Sequence, residues 1–297
     1  MGLLDLDTGQ AAEEVVVSLP TVSVIIPVKN QRAVIAQQLE ALLRQDYRGD
    51  VEIVVADNDS SDGTSAVVRS YGKRVLLVTA PPPCSVGRAR NAGAHHASGA
   101  VLLFCDGDDV VANDWISAMV GASRTHDVFG GPIESASLWP FARQCRALTL
   151  PRDLDWAPWP VGANVGVRRA AFDRLGGWRE DLPAGEDVDL AWRSLLAGLD
   201  VGLVPDAVVH YRERATWRGA FQQGWQWGTA APALYAAFRR VGFCRRRWLA
   251  VAKDVGRLAA GSGLALFSPE CRVAHARLAG LLLGRAWGST RQRCVYL

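Results

Sequence analysis

Three carboxylates crowd into the four residues Asp106-Gly107-Asp108-Asp109, directly after the apolar run Ala100–Cys105. On a turn leaving a buried strand, such a group repels itself unless a cation neutralises it. Mg2+ or Mn2+ suits that need, because hard divalent ions take one or two carboxylates together with phosphate oxygens. A solvated acidic turn is the other reading of the same residues. A second polar cluster, Ala56–Thr64 (ADNDSSDGT), also follows an apolar run. Its Asp57 can accept hydrogen bonds from a base or ribose, or simply shape the turn, while Asp62 can cap a helix beginning at Gly63. The third cluster is Gly185-Glu186-Asp187-Val188-Asp189. Its acids suit the positive end of a helix, and a carboxylate projecting at a ligand-binding edge could equally act as general base toward a hydroxyl. His210, closing an apolar strand, is either structural or metal-ligating. Trp156, Trp159 and Trp178 are candidates for exposed loops where flat rings stack on sugars, against the default of core packing.

The elements that must position these groups follow from periodicity. Val22–Val28 (VSVIIPV) and Val51–Ala56 (VEIVVA) are continuous apolar, β-branched runs, the pattern of strands buried on both faces of a parallel sheet. Ala33–Arg44 carries helical spacing, with Val34, Ile35, Leu39, Leu42 and Leu43 on one face. Thr64–Tyr71 reads as helix, Val75–Val78 as strand, Val86–Ala97 as helix and Ala100–Cys105 as a fourth strand. This β-α-β-α-β-α-β order implies an open, mainly parallel α/β sheet flanked by helices. Such sheets bind ligands beyond the carboxyl ends of their strands, where Lys29-Asn30, Asp57 and Asp106–Asp109 fall. Further on, Asp114–Arg124, Arg168–Leu175 and Asp187–Leu196 read as helices. Asp127–Ile133 and Gly162–Val167 read as strands, and Val201–His210 as one or two short ones. From Thr216 the chain reads as mostly helical.

Composition narrows the class. Of 297 residues, 49% are hydrophobic and 21% charged, which excludes a disordered or collagenous chain. The net charge of +3 conceals an asymmetry: residues 1–210 carry −9 and residues 211–297 carry +12. An acidic working region joined to a basic tail suggests that the tail meets something anionic, with a membrane surface as a candidate. The six cysteines are scattered without zinc spacing and are expected to be reduced thiols of a cytoplasmic protein. MGLLDLDTGQAAEEVVV lacks the basic and apolar regions of a signal peptide, and no run reaches about 18 apolar residues. The expected location is therefore cytoplasmic, with the inner membrane face as a site of peripheral attachment. The expected organisation is an N-terminal extension (1–20), a catalytic domain (21–212) and a basic helical region (213–297).

The segments VSVIIPVKN, VVADNDSSDGT, GRARNAGAHHASGAVLLFCDGDD, GANVGVRRAAFDRLGGW and AGEDVDLAWR together resemble the family 2 glycosyltransferases of glycosyltransferase-A fold, from Val22 to about His210. The resemblance implies an inverting, metal-dependent transfer of one sugar from a nucleoside-diphosphate sugar to a saccharide, lipid-linked or small-molecule acceptor. It places Pro27, Lys29 and Asn30 in the first nucleotide-contacting loop, Asp57 on the base, and Arg90 with Asn91 over the nucleotide. Asp106 and Asp108 match the D-x-D pair that faces ribose and metal, and His210 matches a position that completes the metal or diphosphate site in some relatives. Asp187 of the Glu186-Asp187 pair matches the catalytic base, and Trp178, Gly177 and Trp156 are assigned to the acceptor side. Asn58-Asp59 departs from the Asp-Gly or Asn-Gly common in the family, leaving that turn's shape open. The processive Gln-x-x-Arg-Trp motif is not matched by Gln222–Trp227, so a single transfer per acceptor is expected. A non-catalytic nucleotide-sugar-binding protein is the main alternative. PVKNQRAV is not the glycine-rich phosphate loop of a sugar-1-phosphate nucleotidyltransferase, nor does a GxGxxG follow Val28. Nucleic acid is not an expected partner.

Overall fold

The computed structural model describes residues 18–135, 138, 150–151, 157–246 and 248–297. Most of the expected N-terminal extension, and Trp156, lie outside them. The first half alternates strand and helix: β1 (Val22–Val28), α1 (Ile35–Leu42), β2 (Val51–Asp57), α2 (Thr64–Arg69), β3 (Leu76–Thr79), α3 (Val86–His96) and β4 (Val101–Cys105). These four strands pair in parallel in the order β3-β2-β1-β4. Every residue of β1 and β4 is buried, as their unbroken apolar runs require. The strand period of two then splits the core. Val24, Ile26 and Val28 face one helical layer containing α1, while Ile25 faces the opposite layer.

Beyond β4 come β5 (Val110–Val111), α4 (Trp115–Ala122), β6 (Val128–Gly130), β7 (Ile133–Glu134), β8 (Asn164–Arg168), α5 (Arg169–Leu175), α6 (Glu186–Leu196), β9 (Val201–Leu203) and β10 (Val209–His210). β8 runs antiparallel between β4 and β6, and β9 pairs in parallel with β6. A small second sheet has the order β5-β10-β7. The expected strand Asp127–Ile133 is therefore two strands in different sheets. Gly130-Gly131-Pro132 makes the break: a Cβ on Gly131 would fall against the Ala207 carbonyl, and Pro132 has no N–H to continue a ladder. Val201–His210 divides in the same way between the two sheets.

The tail forms α7 (Trp217–Phe238), α8 (Trp248–Phe267) and α9 (Pro269–Arg291). The Thr216 hydroxyl caps α7 by accepting from the Gly219 N–H at 3.1 Å. Helices α7 and α9 lie so close that a Cβ on Gly224, Gly228, Gly280 or Gly284 would clash with the partner's backbone. The tail is joined to the rest by a shared core, in which Val188, Ala191 and Trp192 pack with Leu234, Phe238, Phe243 and Tyr296. The fold is the expected α/β class with a helical C-terminal region. Among the described residues no helix is long and apolar enough to cross a membrane, and the cysteines form no disulfides.

Candidate active site

The carboxyl ends of β1, β2 and β4 bring the first two polar clusters to one edge of the sheet. The β1 and β2 loops are stitched together. Asn30 N–H donates to Ser60 Oγ at 3.0 Å, Ser61 N–H to Asn30 Oδ1 at 2.8 Å and Arg32 N–H to Asp62 Oδ2 at 2.9 Å. The other Asp62 oxygen accepts from Thr64 N–H at 2.9 Å; the N-cap position of α2 is Gly63, so Asp62 holds the first helical amide from one residue before the cap and also fixes the neighbouring loop. Asp59 adopts φ +66°, the left-handed conformation that a glycine would supply in the commoner form of this turn, and aspartate tolerates it. Asp57 is buried and accepts from Ser60 N–H at 3.0 Å and from the Ser65 hydroxyl. Pro27 is buried within β1, whereas Lys29 and Asn30 are exposed at the rim.

The acidic turn begins where β4 ends. One carboxylate oxygen from each of Asp106, Asp108 and Asp109 lies within 4.8 Å of the others. Asp108 and Asp109 are buried, and burial, with the charge of Asp106 next, pushes both carboxyls above their ordinary range. Gly107 is required here, because a Cβ would collide with Gln31 Oε1 and lie 2.7 Å from Val28 Cγ1. Gln38 clamps the turn from behind, donating to the Asp106 carbonyl at 3.1 Å and accepting from Val111 N–H at 3.0 Å. Asp109 Oδ2 and Gln31 Oε1 are buried acceptors without a donor among the described residues. A donor set of three crowded oxygen ligands with an orphaned buried oxygen fits a hard divalent cation such as Mg2+ or Mn2+.

Two arginines that the sequence reading missed close over this turn. The antiparallel pairing of β10 with β5 brings the segment after His210 across it. Arg212 donates its N–H to Asp109 Oδ1 and its Nε to the Asp108 carbonyl, both at 2.8 Å. Arg214 Nη1 pairs with Asp108 Oδ2 at 2.8 Å. His210 itself is not one of the three clustered donors; its Nδ1 meets Glu134 Oε2 at 2.6 Å, which gives it a structural partner on the neighbouring strand β7. The Arg214 guanidinium occupies the charge role that a metal would take at Asp108. Arg214→Gln is therefore expected to tighten Mn2+ binding several-fold in the absence of nucleotide, read by electron paramagnetic resonance of free Mn2+.

The third cluster lies at the start of α6, where Gly185 at φ +76° turns the chain and sets Glu186 and Asp187 in the first turn. Asp187 Oδ2 accepts from Gly162 N–H and Oδ1 from Val188 N–H, both at 2.8 Å. Burial, assisted by the charge of Glu186, raises its pKa to about 6. A carboxylate so tuned is ionised at neutral pH yet basic enough to take a proton.

Arg90 ties this helix to the acidic turn. Only 2% exposed, it pairs through Nη1 with Glu186 Oε1 at 2.6 Å and through Nη2 with Asp106 Oδ1 at 3.0 Å. The Nη2 also donates to the Gly162 carbonyl at 2.9 Å, on the same residue whose amide holds Asp187. Its guanidinium carbon sits 4.7 Å from the centroid of the Trp178 ring.

That arrangement corrects the expected exposure of Trp178. The ring is 2% exposed, packs edge-on against Phe104 at 5.0 Å, and belongs to the core rather than to an open acceptor face. Asn91 serves the same structure instead of facing a nucleotide: Oδ1 accepts from Trp178 N–H at 2.9 Å, and Nδ2 donates to the Trp178 carbonyl at 2.8 Å and to Glu180 Oε1 at 2.9 Å. Gly177 is needed beside it, since a Cβ would meet Asn91 Oδ1 at 2.7 Å and its φ is +77°. Trp159, also expected in an open loop, is half-buried edge-on to Trp192.

The chain is similar to known proteins in sequence and fold. The model of glycosyl transferase family 2 matches residues 23–176, and that of glycosyl transferase family group 2 matches residues 153–286. The probable glycosyltransferase YdaM of Bacillus subtilis is 26% identical over 230 residues, covering 70% of this chain and 54% of its own. Glycosyltransferase AglE of Haloferax volcanii is 36% identical over 205 residues, covering 64% of this chain and 66% of its own. The chain thus spans between half and two thirds of the length of these relatives. Among solved structures, the mannosyltransferase PcManGT from Pyrobaculum calidifontis, in complex with GDP-Man and Mn2+, superposes with a TM-score of 0.63 at 21% identity over 92% of this chain and 88% of that one.

Proposed function

The chain belongs to glycosyl transferase family 2, and from that premise we propose that it moves one sugar from a nucleoside-diphosphate donor to an acceptor hydroxyl with inversion at the anomeric carbon. The observation that carries this reading is Asp187, its pKa raised to about 6, in the first turn of the helix whose Glu186 is joined to the acidic turn through Arg90. A buried carboxylate raised in this way at a ligand-binding edge favours catalysis over binding of a nucleotide sugar alone.

In the proposed reaction the donor lies along the edge formed by the β1, β2 and β4 loops. Asp57 faces the base, and Lys29 and Asn30 line the rim. Asp106, Asp108 and Asp109 would hold Mg2+ or Mn2+, which offsets the negative charge that builds on the departing diphosphate. Asp187 receives the proton of the acceptor hydroxyl as that oxygen attacks the anomeric carbon from the face opposite the leaving group. The amides of Gly162 and Val188 hold Asp187 in place, so little reorganisation precedes the transfer. Glu186 is committed to Arg90 and acts by position, not as the base. Saccharide, lipid-linked and small-molecule acceptors all present the required hydroxyl. Placement on the cytoplasmic side, near an anionic membrane face, is proposed from the tail's charge of +12.

A panel of nucleotide sugars tested by thermal shift with Mn2+ identifies the donor, since a ligand at about a hundredfold excess over its Kd stabilises by about 2.7 kcal/mol. Proton NMR of the product formed from that donor is then expected to show inverted anomeric configuration. Retained configuration, or tight donor binding without turnover toward any acceptor hydroxyl or water, overturns the assignment.

A further inference from the structure

Helix α8 buries a charge on its inward side and leaves large apolar side chains on its outward side. Its inward side carries Asp254, which is 9% exposed and engaged by Arg246 at 2.9 Å and Arg285 at 3.6 Å. Its outward side, by contrast, carries Trp248, Ala252, Val255 and Ala259, which helical spacing aligns on one stripe. Trp248 is 73% exposed, the adjacent Leu249 77% and Val255 52%. A helix that faces only water places its apolar stripe inward, so this outward stripe calls for an apolar medium.

The charges around the stripe identify that medium. Between Arg214 and Pro269 the only acidic residue is Asp254, buried and neutralised, against eight basic residues. Arg239, Arg240 and Arg245 are exposed on the connection from α7 to α8, and Lys253 and Arg257 are exposed on α8 itself. Phe243 pins the connection by packing against Trp192 at 4.7 Å between ring centroids, which holds the arginines and Trp248 on a fixed base. A second copy of the chain would bring this arginine set against itself, which like-charge repulsion opposes. Nucleic acid would satisfy the arginines and leave the Trp248, Leu249 and Val255 stripe in water. An anionic bilayer meets both demands, taking the rings and aliphatic groups at the headgroup boundary while long basic side chains reach the phosphates.

We propose that α8 and the preceding arginine-rich connection form an interfacial anchor that seats the protein on an anionic membrane surface, with Trp248, Leu249 and Val255 entering the headgroup boundary. The anchor stands independently of the transfer chemistry. The test is co-sedimentation of the full chain with vesicles of phosphatidylcholine containing about 30 mol% phosphatidylglycerol. Partition is expected to fall at least about tenfold on pure phosphatidylcholine and strongly between about 0.1 M and about 0.5 M NaCl. The double variant Trp248→Ala/Leu249→Ala, which changes only exposed side chains, is expected to lose about tenfold, and Arg239→Gln/Arg240→Gln to lose both affinity and salt sensitivity. Equal partition of wild type and the Trp248/Leu249 variant overturns the anchor, as does equal partition onto neutral vesicles. A lipid-free dimer that the same variant converts to monomer, with no vesicle binding, overturns it in favour of a second copy.

Discussion

Asp187→Asn is expected to lower the turnover of glycosyl transfer by about a hundred- to ten-thousand-fold, the usual contribution of a positioned general base. Donor binding should change little, because the new side-chain amide oxygen can still accept from the Gly162 N–H and the groups proposed to hold the nucleotide lie on other loops. The wild-type pH profile carries the same signature. A base with pKa about 6 leaves the rate flat above neutrality and lets it fall about tenfold per pH unit below about 6. The variant should lose that limb. Stability moves in the opposite sense. The folded carboxyl binds its proton more tightly than the ordinary Asp value of 3.8, so between those two values the native state holds more protons than the unfolded chain. Stability therefore falls as pH rises through that window, and the ionised Asp187 is a destabilising group at neutral pH. Removing its charge is expected to leave the thermal midpoint at pH 7 unchanged or raised, despite one weakened amide contact. A variant that kept full turnover, or lost donor binding in step with turnover, would remove Asp187 as the base.

The parts of this design that were legible in the sequence are those written in local chemistry. β1, β2 and β4 announce themselves as apolar runs, and the polar groups that follow them land at one sheet edge because parallel strands all end there. The three clustered aspartates and the acidic first turn of α6 are contiguous in sequence, and they were visible for that reason. What was not legible depends on contacts between distant segments. Arg212 and Arg214 reach Asp108 and Asp109 across more than a hundred residues, carried there by the two-residue pairing of β10 with β5, too short to read as a pattern. Arg90 and Glu186 are separated by 96 positions, and nothing local to either predicts the other. Trp178, next to two glycines, has the local signature of a loop, yet the space over Phe104 and beneath Arg90 takes the ring into the core. Asn91 is misread for the same reason: its amide matches a backbone 87 residues away as well as it would match a nucleotide. The residue types pointed to polar recognition, and only the fold says which partner they recognise.

The largest effect on the fold is expected from Arg90→Met. The methionine roughly keeps the side chain's length and its contact with Trp178 but removes the cation that Glu186 and Asp106 share. Glu186 is 8% exposed, so its carboxylate would stay buried without a counter-charge, and the Gly162 carbonyl would lose its donor. Breaking one side of a buried ion pair costs about 3–5 kcal/mol, enough to threaten a domain of ordinary stability, so chemical denaturation should register a loss of that order. Pairing the change with Glu186→Gln should recover a good part of it, because the second substitution removes the stranded charge, and the two costs will then fail to add. Arg90→Lys cannot substitute: one ammonium does not span Glu186, Asp106 and Gly162 in the fork geometry that the guanidinium provides. A structural role alone would end there, but Arg90 also bears on the chemistry. It is among the charges that hold the Asp187 carboxyl down against burial, so its loss should move the acidic limb of the rate profile above pH 6. Because Glu186→Gln itself removes a charge that raises Asp187, comparing the double variant with Glu186→Gln alone separates the two roles. With the limb displaced upward, Arg90 is a positioning residue that sets the strength of the base. With the limb at the same pH in both variants, it is only the strut between the acidic turn and α6.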